Sequence, residues 1–477
     1  MTPEITVVGV VTHDRVTSLV ACLESYRANC RSHARLPEFV VMDDVADDDA
    51  GGRETCARVR AALQAFQRTG DETVRYAGPG EKRRFAEALA RESSISRDLI
   101  DFALFGDRRC RLRTGANRNG LLLDTVGALV FGADDDTRAR TAVAPDSEKP
   151  VSISSEYEPR EFWFFPDRGA AIEAVTPADS DLLSCHERFL GRTLAEVGAP
   201  AGVDGQVVVT LPGLVGDSGM GSTHYLLTLT GASRERLLAS RSAYASAFRS
   251  REVLRTARQP TIAASAFCMT TFFGFDNRLL LPPFFPVERN SDGIFGLMAQ
   301  RSIGGSYVAF LPSVLLHAPA EPRAFAGDEA LTESVRVQMA DVLIGCILVH
   351  GAGPLGPYLR SLASLKPTDF EAFVRSAQQM RNLIFTTLLE TRLSEYGASP
   401  AFWAEDARKA IDVLRRTAAR SDYIVPSDLG NAGDLDSARR LAQELMGKFG
   451  ELVEAWPALV EATSRLRTNG CRVSERV

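Results

Sequence analysis

Three consecutive aspartates, Asp134, Asp135 and Asp136, follow an apolar run at residues 128–131. Neighbouring carboxylates repel one another, and a hard divalent cation such as Mg²⁺ or Mn²⁺ relieves that repulsion because it prefers oxygen ligands. An incomplete set of protein ligands leaves coordination positions for the phosphates of a substrate. The alternative is an acidic turn in which Asp136 or Thr137 caps a helix. The triplet therefore predicts either a divalent metal site or an ordinary turn.

The apolar runs before and around these aspartates predict alternating strands and helices. Residues 5–11 (ITVVGVV), 39–42 (FVVM) and 74–76 (VRY) are short runs typical of strands, and each precedes apolar residues at helical spacing. This alternation predicts an α/β fold with a mainly parallel central sheet covered on both faces. Ligands bind such sheets at the carboxyl ends of the strands, so the polar residues at those ends are the candidates for chemistry.

Four short segments carry a family resemblance: VVGVVTHDR at residues 7–15, VVMDD at 40–44, TGANRNGLL at 114–122 and FGADDDT at 131–137. In order and spacing they resemble the GT-A glycosyltransferases, in particular family-two-like members. The resemblance implies a Rossmann-like GT-A domain that binds a nucleotide-sugar, and it covers the first third of the chain.

The resemblance assigns nucleotide contacts to five residues. Thr12 would line the nucleotide pocket at the end of the first strand. Asp43 and Asp44, at the end of the second strand, would contact the uracil or the ribose. Arg118 and Asn119 would support the donor pocket.

In the acidic triplet, the resemblance places Asp134 and Asp135 at the donor, and Asp134 and Asp136 at a Mn²⁺ or Mg²⁺ ion that bridges its phosphates. Several GT-A enzymes supply a further metal ligand from a late histidine. His317 follows an apolar run and would fill that role, because a neutral imidazole can bind Mn²⁺. A lone histidine is more often a structural residue, so both interpretations stay open.

Asp292 is the candidate general base for the acceptor. It lies in VERNSDGIFG at residues 287–296, which resembles the acidic pair that opens a helix behind the family's acceptor pocket. Inverting glycosyl transfer needs a base beside the attacking hydroxyl, and Asp or Glu commonly provides it. Ser291 stands at the first acidic position, which makes Glu288 an alternative base. The other interpretation is that Asp292 caps the helix.

Two further segments are polar or glycine-rich. Residues 213–224 (GLVGDSGMGSTH) lack the lysine of a Walker loop, so we predict a mobile loop over the donor or acceptor, with Asp217 as a minor contact. Most of the acidic stretch that continues to Asp47, Asp48 and Asp49 is predicted to be a solvated loop.

Composition limits the function classes. The chain has 477 residues, a formal net charge of −6 and a pI near 5.7, which argues against a protein built to bind nucleic acid. No leader sequence is apparent, and the apolar run at residues 342–349 is too short to span a bilayer, so we predict a cytoplasmic protein. The eight cysteines form no C-x-x-C pair and are predicted to be free thiols.

The length predicts more than one domain. Residues 1–320 are predicted to form the catalytic domain, with an insertion within 140–260. Residues 321–477 are predicted to be helical, because apolar residues recur at helical spacing over 329–349, 368–396, 400–420 and 435–466. This helical region could also mediate a homo-oligomer.

The resulting hypothesis is a metal-dependent glycosyltransferase that inverts the anomeric carbon of a UDP-linked sugar. Its acceptor stays open among glycan, lipid, peptide and small metabolite. One alternative is a sugar nucleotidyltransferase, although residues 9–15 lack the glycine-rich loop with Arg and Lys that this class uses. The other alternative is a catalytically silent nucleotide-binding scaffold.

Overall fold

The computed structural model describes residues 3–45, 50–143, 150–198, 204–325, 337–351, 353–419, 425–432 and 434–477. Asp47, Asp48 and Asp49 lie outside these ranges, as do residues 329–336 of the first helix predicted for the C-terminal region. The predictions for those residues therefore stay predictions.

The N-terminal third alternates strands and helices as the sequence predicts. Its elements are β1 (Ile5–Thr12), α1 (Val16–Ser32), β2 (Glu38–Asp43), α2 (Ala50–Arg68), β3 (Val74–Ala77), α3 (Pro79–Ser93), α4 (Arg97–Phe105), α5 (Thr114–Asp124) and β4 (Leu129–Asp134). The strands lie in the order β3-β2-β1-β4, and all three pairings are parallel. Because these strands are parallel, Thr12, Asp43 and Asp134 end at the same edge of the sheet.

The central segment extends this sheet. Its elements are β5 (Thr137–Val143), β6 (Ser152–Ser154), β7 (Glu161–Phe164), α6 (Arg168–Glu173), β8 (Thr176–Pro177), α7 (Leu182–Glu187), β9 (Gln206–Asp217), α8 (Gly231–Leu237), α9 (Arg241–Ala247), β10 (Glu252–Thr256), β11 (Thr261–Ala263), β12 (Phe272–Asp276), α10 (Ser291–Ser302) and β13 (Ser306–His317). Beyond β4 the order continues β12-β9-β13-β11-β6. Strand β12 is antiparallel to both of its neighbours, and β13 is parallel to β9. The sheet is therefore mixed, and the α/β class is confirmed.

Both faces of the parallel strands β1, β2 and β4 are largely buried, which explains why these strands are apolar runs and not alternating ones. Val8 of β1 packs in a core cluster with Leu19 of α1 and Leu63 of α2. Val7, on the opposite face, belongs to a second cluster that includes Phe85 of α3.

The C-terminal region is helical, as predicted. Its elements are α11 (Met339–His350), α12 (Leu355–Ala363), α13 (Pro367–Glu395), α14 (Ala401–Ala418), α15 (Leu435–Thr468) and the short strand β14 (Glu475–Arg476). Strand β14 pairs with β3 at the edge of the sheet. The indole Nε1 of Trp456 donates to the carbonyl of Leu281 over 2.8 Å, and Phe449 shares a core cluster with Val7 of β1. The helical region therefore shares its core with the sheet.

One prediction is wrong in part. Residues 213–217 of the glycine-rich segment are not a loop: they complete β9, which pairs with both β10 and β13. Leu214 and Val215 are buried on opposite sides of the sheet, in different core clusters, and this burial fixes the strand.

The state of the cysteines and the apolar character of the helices bear on two predictions from the sequence. All eight cysteines are free, and five of them are buried. Among the described residues, no helix is both long enough and apolar enough to cross a membrane.

Candidate active site

The three aspartates at the end of β4 are directed into the protein. Asp135 is fully buried, and its carboxylate accepts a 2.6 Å hydrogen bond from the Thr12 hydroxyl at the end of β1. Arg15 lies 2.8 Å from Asp135 and 3.1 Å from Asp136. Asp135 and Asp136 form a turn between β4 and β5, as the alternative interpretation predicts, but Thr137 begins a strand, so the helix capping by Asp136 or Thr137 is wrong.

Asp134 forms the third ion pair of the triplet. Its Oδ1 lies 2.8 Å from Nη2 of Arg118, which projects from α5. Arg118 therefore reaches the triplet, and its predicted support of a donor pocket stays a prediction.

His317 reaches the triplet from the end of β13. Its Nε2 is 3.4 Å from Oδ1 of Asp136, and its Nδ1 donates to the carbonyl of Asp217 over 2.6 Å. That bond orients the ring so that Nε2 faces the carboxylate. The carboxylate of Asp217 is itself held by Arg251 and Arg323, each at 3.0 Å.

Burial and neighbouring charges shift the pKa values of the three aspartates in different directions. Burial raises the pKa of Asp134 to about 6 and that of Asp135 to about 7, although nearby arginines oppose the shift. Burial also acts on Asp136, but His317 and Arg15 outweigh it and hold the pKa of Asp136 below its ordinary value. The partner imidazole shows the opposite shift: burial lowers the pKa of His317, and Asp136 raises it by more.

These shifts bear on whether a divalent cation fits the site. Carboxylates with raised pKa values are poorly compensated, and a bound cation would favour their charged forms. Oδ1 of Asp136 is buried without a hydrogen-bond partner among the described residues and faces the nitrogen of His317. Asp136 and His317 therefore fit an oxygen and nitrogen pair for Mn²⁺ or Mg²⁺.

The fit is partial. Asp134, the other predicted ligand, is engaged by Arg118. Across the described residues, no three or more His, Cys, Asp or Glu side chains are already grouped to hold a metal ion. The protein thus offers an incomplete ligand set that would leave positions for other ligands.

Asp292 is brought close to the triplet by a short loop. Its Oδ2 accepts from the amide of Thr270 over 3.4 Å, while the next residue, Thr271, accepts from the amide of Asp134 over 2.8 Å. Asn290 occupies the N-cap position of α10, and Asp292 lies in the first turn. The interpretation of Asp292 as the helix cap is therefore wrong.

The alternative base, Glu288, occupies a different place. It is buried, and its Oε1 accepts a 2.8 Å hydrogen bond from the amide of Arg111, ahead of α5. Its side chain therefore holds a loop in place, whereas Asp292 lies beside the triplet.

Neither protein-family models nor curated proteins provide a match to this sequence. The family resemblance therefore depends on the four motifs, and the site is interpreted from its geometry.

A cavity of about 240 Å³ opens at the end of β2, and six of its lining residues are Asp43, Asp44, Lys82, Arg83, Arg113 and Ala116. Asp43 is fully buried; it accepts a 3.0 Å hydrogen bond from the Tyr76 hydroxyl, and burial raises its pKa. Asp44 is 2.6 Å from Nδ1 of His13, and its amide donates to the carbonyl of Thr12. Thr12 therefore links this cavity to the aspartate triplet.

Lys82 is a buried cation in the wall of this cavity. Its Nζ donates to the carbonyl of Asp43 over 2.9 Å and to Oδ1 of Asn117 over 2.7 Å. Burial lowers the pKa of Lys82 to about 8. A cation with so few polar partners is suited to an anionic or carbonyl-bearing ligand in the cavity.

Asn119 does not reach the site directly. It is fully buried, and its amide bonds the carbonyl of Ala103 over 3.2 Å and both the carbonyl and the amide of Phe284. Its predicted support of the donor pocket would therefore be indirect, through the placement of α5.

Several site residues were not selected from the sequence: Arg15, Lys82, Asn117, Arg251 and Arg323. Arg15 and Asn117 lie inside the motif segments 7–15 and 114–122, so their polar side chains could have identified them as site residues. Asn117 donates to the carbonyl of Met42 over 2.8 Å and thereby ties α5 to β2. Arg323 gave no signal, because its partner Asp217 is distant in the sequence.

Proposed function

We propose that this chain is a metal-dependent glycosyltransferase that transfers a sugar from a nucleotide-diphosphate sugar, in our hypothesis UDP-linked. The observation that supports it best is a convergence. Asp136 and His317, from distant parts of the sequence, face each other at the carboxyl edge of the parallel strands β2, β1 and β4. Asp292 is joined to the same edge through Thr270 and Thr271, and Thr12 connects the triplet with the cavity beside Asp44. Ligands bind α/β sheets at that edge.

In this proposal the base and ribose of the donor occupy the cavity at the end of β2, beside Asp43 and Asp44. The diphosphate lies at the triplet, near Arg15 and His317. A divalent cation, when bound, would offset the negative charge that develops on the departing diphosphate. Asp136 and His317 would hold it, with Asp134 as the third protein ligand.

On the acceptor side, Asp292 would take the proton from an acceptor hydroxyl. The acceptor oxygen then forms a bond to the anomeric carbon, while the bond from that carbon to the diphosphate oxygen breaks and leaves its electron pair on the diphosphate. Attack from the face opposite the leaving group inverts the anomeric carbon. The two amides that bond Asp292, from Thr270 and Gly293, fix its position for this task.

Calorimetric titration with UDP, with and without Mn²⁺, tests the proposal. We expect Mn²⁺ to tighten UDP binding, and we expect Asp136→Asn to reduce that gain by about tenfold or more, since loss of a charged ligand weakens metal binding by at least what altered outer-shell partners cost. Asp179→Asn is the matched control, because this aspartate is exposed and its ion pair among the described residues is with His33. Release of nucleotide diphosphate from a panel of donor sugars then identifies the donor.

The titration and the panel of donor sugars, with a nucleoside triphosphate titrated for comparison, together separate the alternatives. A silent scaffold would bind UDP without releasing nucleotide diphosphate from any donor sugar. A nucleotidyltransferase would prefer a nucleoside triphosphate over UDP. Absence of any UDP binding would contradict the proposal altogether.

A further inference from the structure

The segment between β5 and β10 contributes two buried arginines that share one carboxylate. Arg255 of β10 is 2% exposed, and its Nε donates to Oε1 of Glu158 over 2.5 Å. Arg160 is 6% exposed and lies 2.8 Å from the same oxygen. Two guanidinium groups and one carboxylate leave one positive charge uncompensated within this cluster, which is costly in a buried place.

One donor group of this cluster faces only weak acceptors. Nη1 of Arg255 lies 3.2 Å from the sulfur of Met269 and 4.0 Å from that of Met220, and these thioethers are the partners that the described residues give it. A thioether sulfur is a weak hydrogen-bond acceptor. Both methionines are partly exposed and have flexible side chains, so they can yield to a ligand.

The excess positive charge also affects the pKa of Arg160. Burial lowers the pKa of Arg160 to about 10, and the charge of Arg255 contributes in the same direction. Nη2 of Arg160 is buried and, despite its proximity to Glu158, has no hydrogen-bond partner of acceptable geometry among the described residues. Both arginines therefore have hydrogen-bonding capacity left for an oxygen acceptor.

The cluster lies next to the candidate base. Met269 immediately precedes Thr270, whose amide bonds Asp292, and the charges of Asp292 and Arg160 both act on the thiol of Cys268. A Cβ atom built on Gly219 would lie 2.7 Å from Met269 and 4.0 Å from His317. The methionine that covers Arg255 thus lies between the arginine and the proposed catalytic groups.

An exposed aromatic ring marks the outer side of the same cluster. Tyr157, adjacent to Glu158, is 60% exposed, and its ring packs edge-on against Phe267 at 5.6 Å. The guanidinium groups of Arg160 and Arg255 both lie over the Phe267 ring, each at 4.9 Å. Phe267 therefore connects the two buried arginines with an aromatic ring at the protein surface.

We propose that Arg255, assisted by Arg160, binds an oxyanion on the acceptor, so that the acceptor is a hydroxyl compound carrying a carboxylate or phosphate group. This inference rests on the proposed function, because it takes the Asp292 side of the site as the acceptor side. The guanidinium binds the anion while the acceptor hydroxyl lies at Asp292. Because Glu158 engages Nε and Nη2 of Arg255, the anion would accept one charge-assisted hydrogen bond from Nη1 of Arg255 and one from Nη2 of Arg160.

Calorimetric titration of the full chain with inorganic phosphate, and separately with lactate, tests this assignment. Saturating UDP and Mg²⁺ are present throughout, so that the diphosphate position is already filled. We expect at least one anion to bind, and Arg255→Met to weaken that binding about tenfold or more, as expected for loss of a charge-assisted hydrogen bond. Phosphate binding alone indicates a phosphorylated acceptor, and lactate binding alone indicates a carboxylic acid.

Two further variants keep the test independent of misfolding. Glu158→Gln removes the competing carboxylate and should tighten anion binding, an opposite change that general damage to the fold would not produce. Arg188→Met removes an exposed arginine at the end of α7 and should leave anion binding as it is. The assignment is overturned if neither anion binds, or if Arg255→Met binds as tightly as the unmodified protein.

UDP binding tests the proposed function, and anion binding tests the acceptor inference. If UDP does not bind, the glycosyltransferase proposal fails, and the anion titrations without nucleotide still show whether Arg255 forms an anion site. If UDP binds and anions do not, only the acceptor inference fails.

Discussion

The aspartate triplet illustrates how neighbouring groups give identical side chains different states. Burial dominates at Asp134 and Asp135, whose pKa values rise to about 6 and about 7. His317 and Arg15 dominate at Asp136, whose pKa falls below its ordinary value. At neutral pH, Asp136 is therefore the member of the triplet that most firmly keeps its negative charge, and it faces His317.

Substitution of Asp292 should lower the rate of transfer without weakening nucleotide binding. We expect Asp292→Asn to lower the rate of sugar transfer by about 10²- to 10⁴-fold, the usual contribution of a general base, while UDP binding is retained. Glu288→Gln is the contrasting variant, because Glu288 bonds a loop amide and its amide analogue can accept the same bond. Steady-state rates of nucleotide diphosphate release would measure both. Equal losses in the two variants would contradict the assignment of the base.

His186 gives a pH prediction outside the site. Its Nδ1 is 2.6 Å from the Thr210 hydroxyl, its ring packs edge-on against Phe131, and burial lowers its pKa to about 3. An unfolded histidine takes up a proton near pH 6.5, whereas the folded one resists until about pH 3. The unfolded state therefore binds more protons between these values, and stability falls as the pH decreases through that window.

The size of the effect follows from the same shift. Between pH 7 and pH 4.5, the His186 contribution should reduce the free energy of unfolding by about 2–3 kcal/mol. His186→Gln, which can keep a hydrogen bond to Thr210, should lose that part of the acid sensitivity. Urea denaturation at both pH values measures the difference. Parallel losses of stability in variant and parent would contradict the prediction.

Among the elements, helix α5 is the one that brings together the residues of the proposed donor side. Its second residue, Gly115, packs so closely that a Cβ atom would lie 1.8 Å from the carbonyl oxygen of Phe285. The next amide, of Ala116, donates to the carbonyl of Pro286 over 3.0 Å. This close approach fixes the start of the helix, and with it Asn117 and Arg118.

We therefore expect Gly115→Ala to destabilise the protein by about 2 kcal/mol or more, as overpacking does when the obstructing atom belongs to the backbone. It should also weaken UDP binding, since Arg118 and Asn117 would move with the helix. Gly345→Ala in α11 is the control, because its new methyl would lie 3.9 Å from Ala377 and helical alanine is favoured over glycine. Thermal unfolding and UDP titration measure the two effects. An unchanged melting temperature for Gly115→Ala would contradict this account.

Strands that are uninterrupted apolar runs could be predicted from the sequence, whereas the glycine-containing end of β9 could not. The runs at residues 5–11, 39–42 and 74–76 became β1, β2 and β3 because buried parallel strands are uninterrupted apolar runs. The glycines of residues 213–217 predict a loop, whereas the structure has the end of β9 there. Gly213 is instead required by packing, since a Cβ atom there would lie 2.4 Å from the Thr256 hydroxyl.

The site residues that lie in short sequence motifs could be predicted, whereas contacts between distant residues could not. Asp134 and Asp136 lie at the end of a buried strand, and Arg118 lies in the first half of α5, so their positions could be inferred from short segments. The ion pair between Arg323 and Asp217 could not, because it joins residues about a hundred positions apart without a local pattern. Neither could the sharing of Glu158 by Arg160 and Arg255, which depends on the pairing of β7 with β10.

At the scale of the whole molecule, the sheet and the C-terminal helices form one continuous core. Trp456 is buried against Leu281, and Arg472 lies 2.7 Å from the fully buried Asp124 at the end of α5. The boundary predicted near residue 320 therefore separates regions of different composition that are packed together.

This packing predicts cooperative unfolding. Far-ultraviolet circular dichroism and tryptophan fluorescence should give one coincident urea transition. Trp456→Ala should lower the free energy of unfolding by about 3–5 kcal/mol, the usual cost of removing a buried tryptophan. Trp163→Ala, at a half-buried position, is the control and should cost less. Two separate transitions would show that the helical region unfolds by itself.

The position of β9 limits how this molecule can diversify. The strand is hydrogen-bonded between β12 and β13, and β10, which bears Arg255, is paired to it. Losing or exchanging this stretch would open a gap in the middle of the hydrogen-bonded ladder. Substitution of single side chains such as Arg255 is therefore the route to altered ligand preference that keeps this ladder intact.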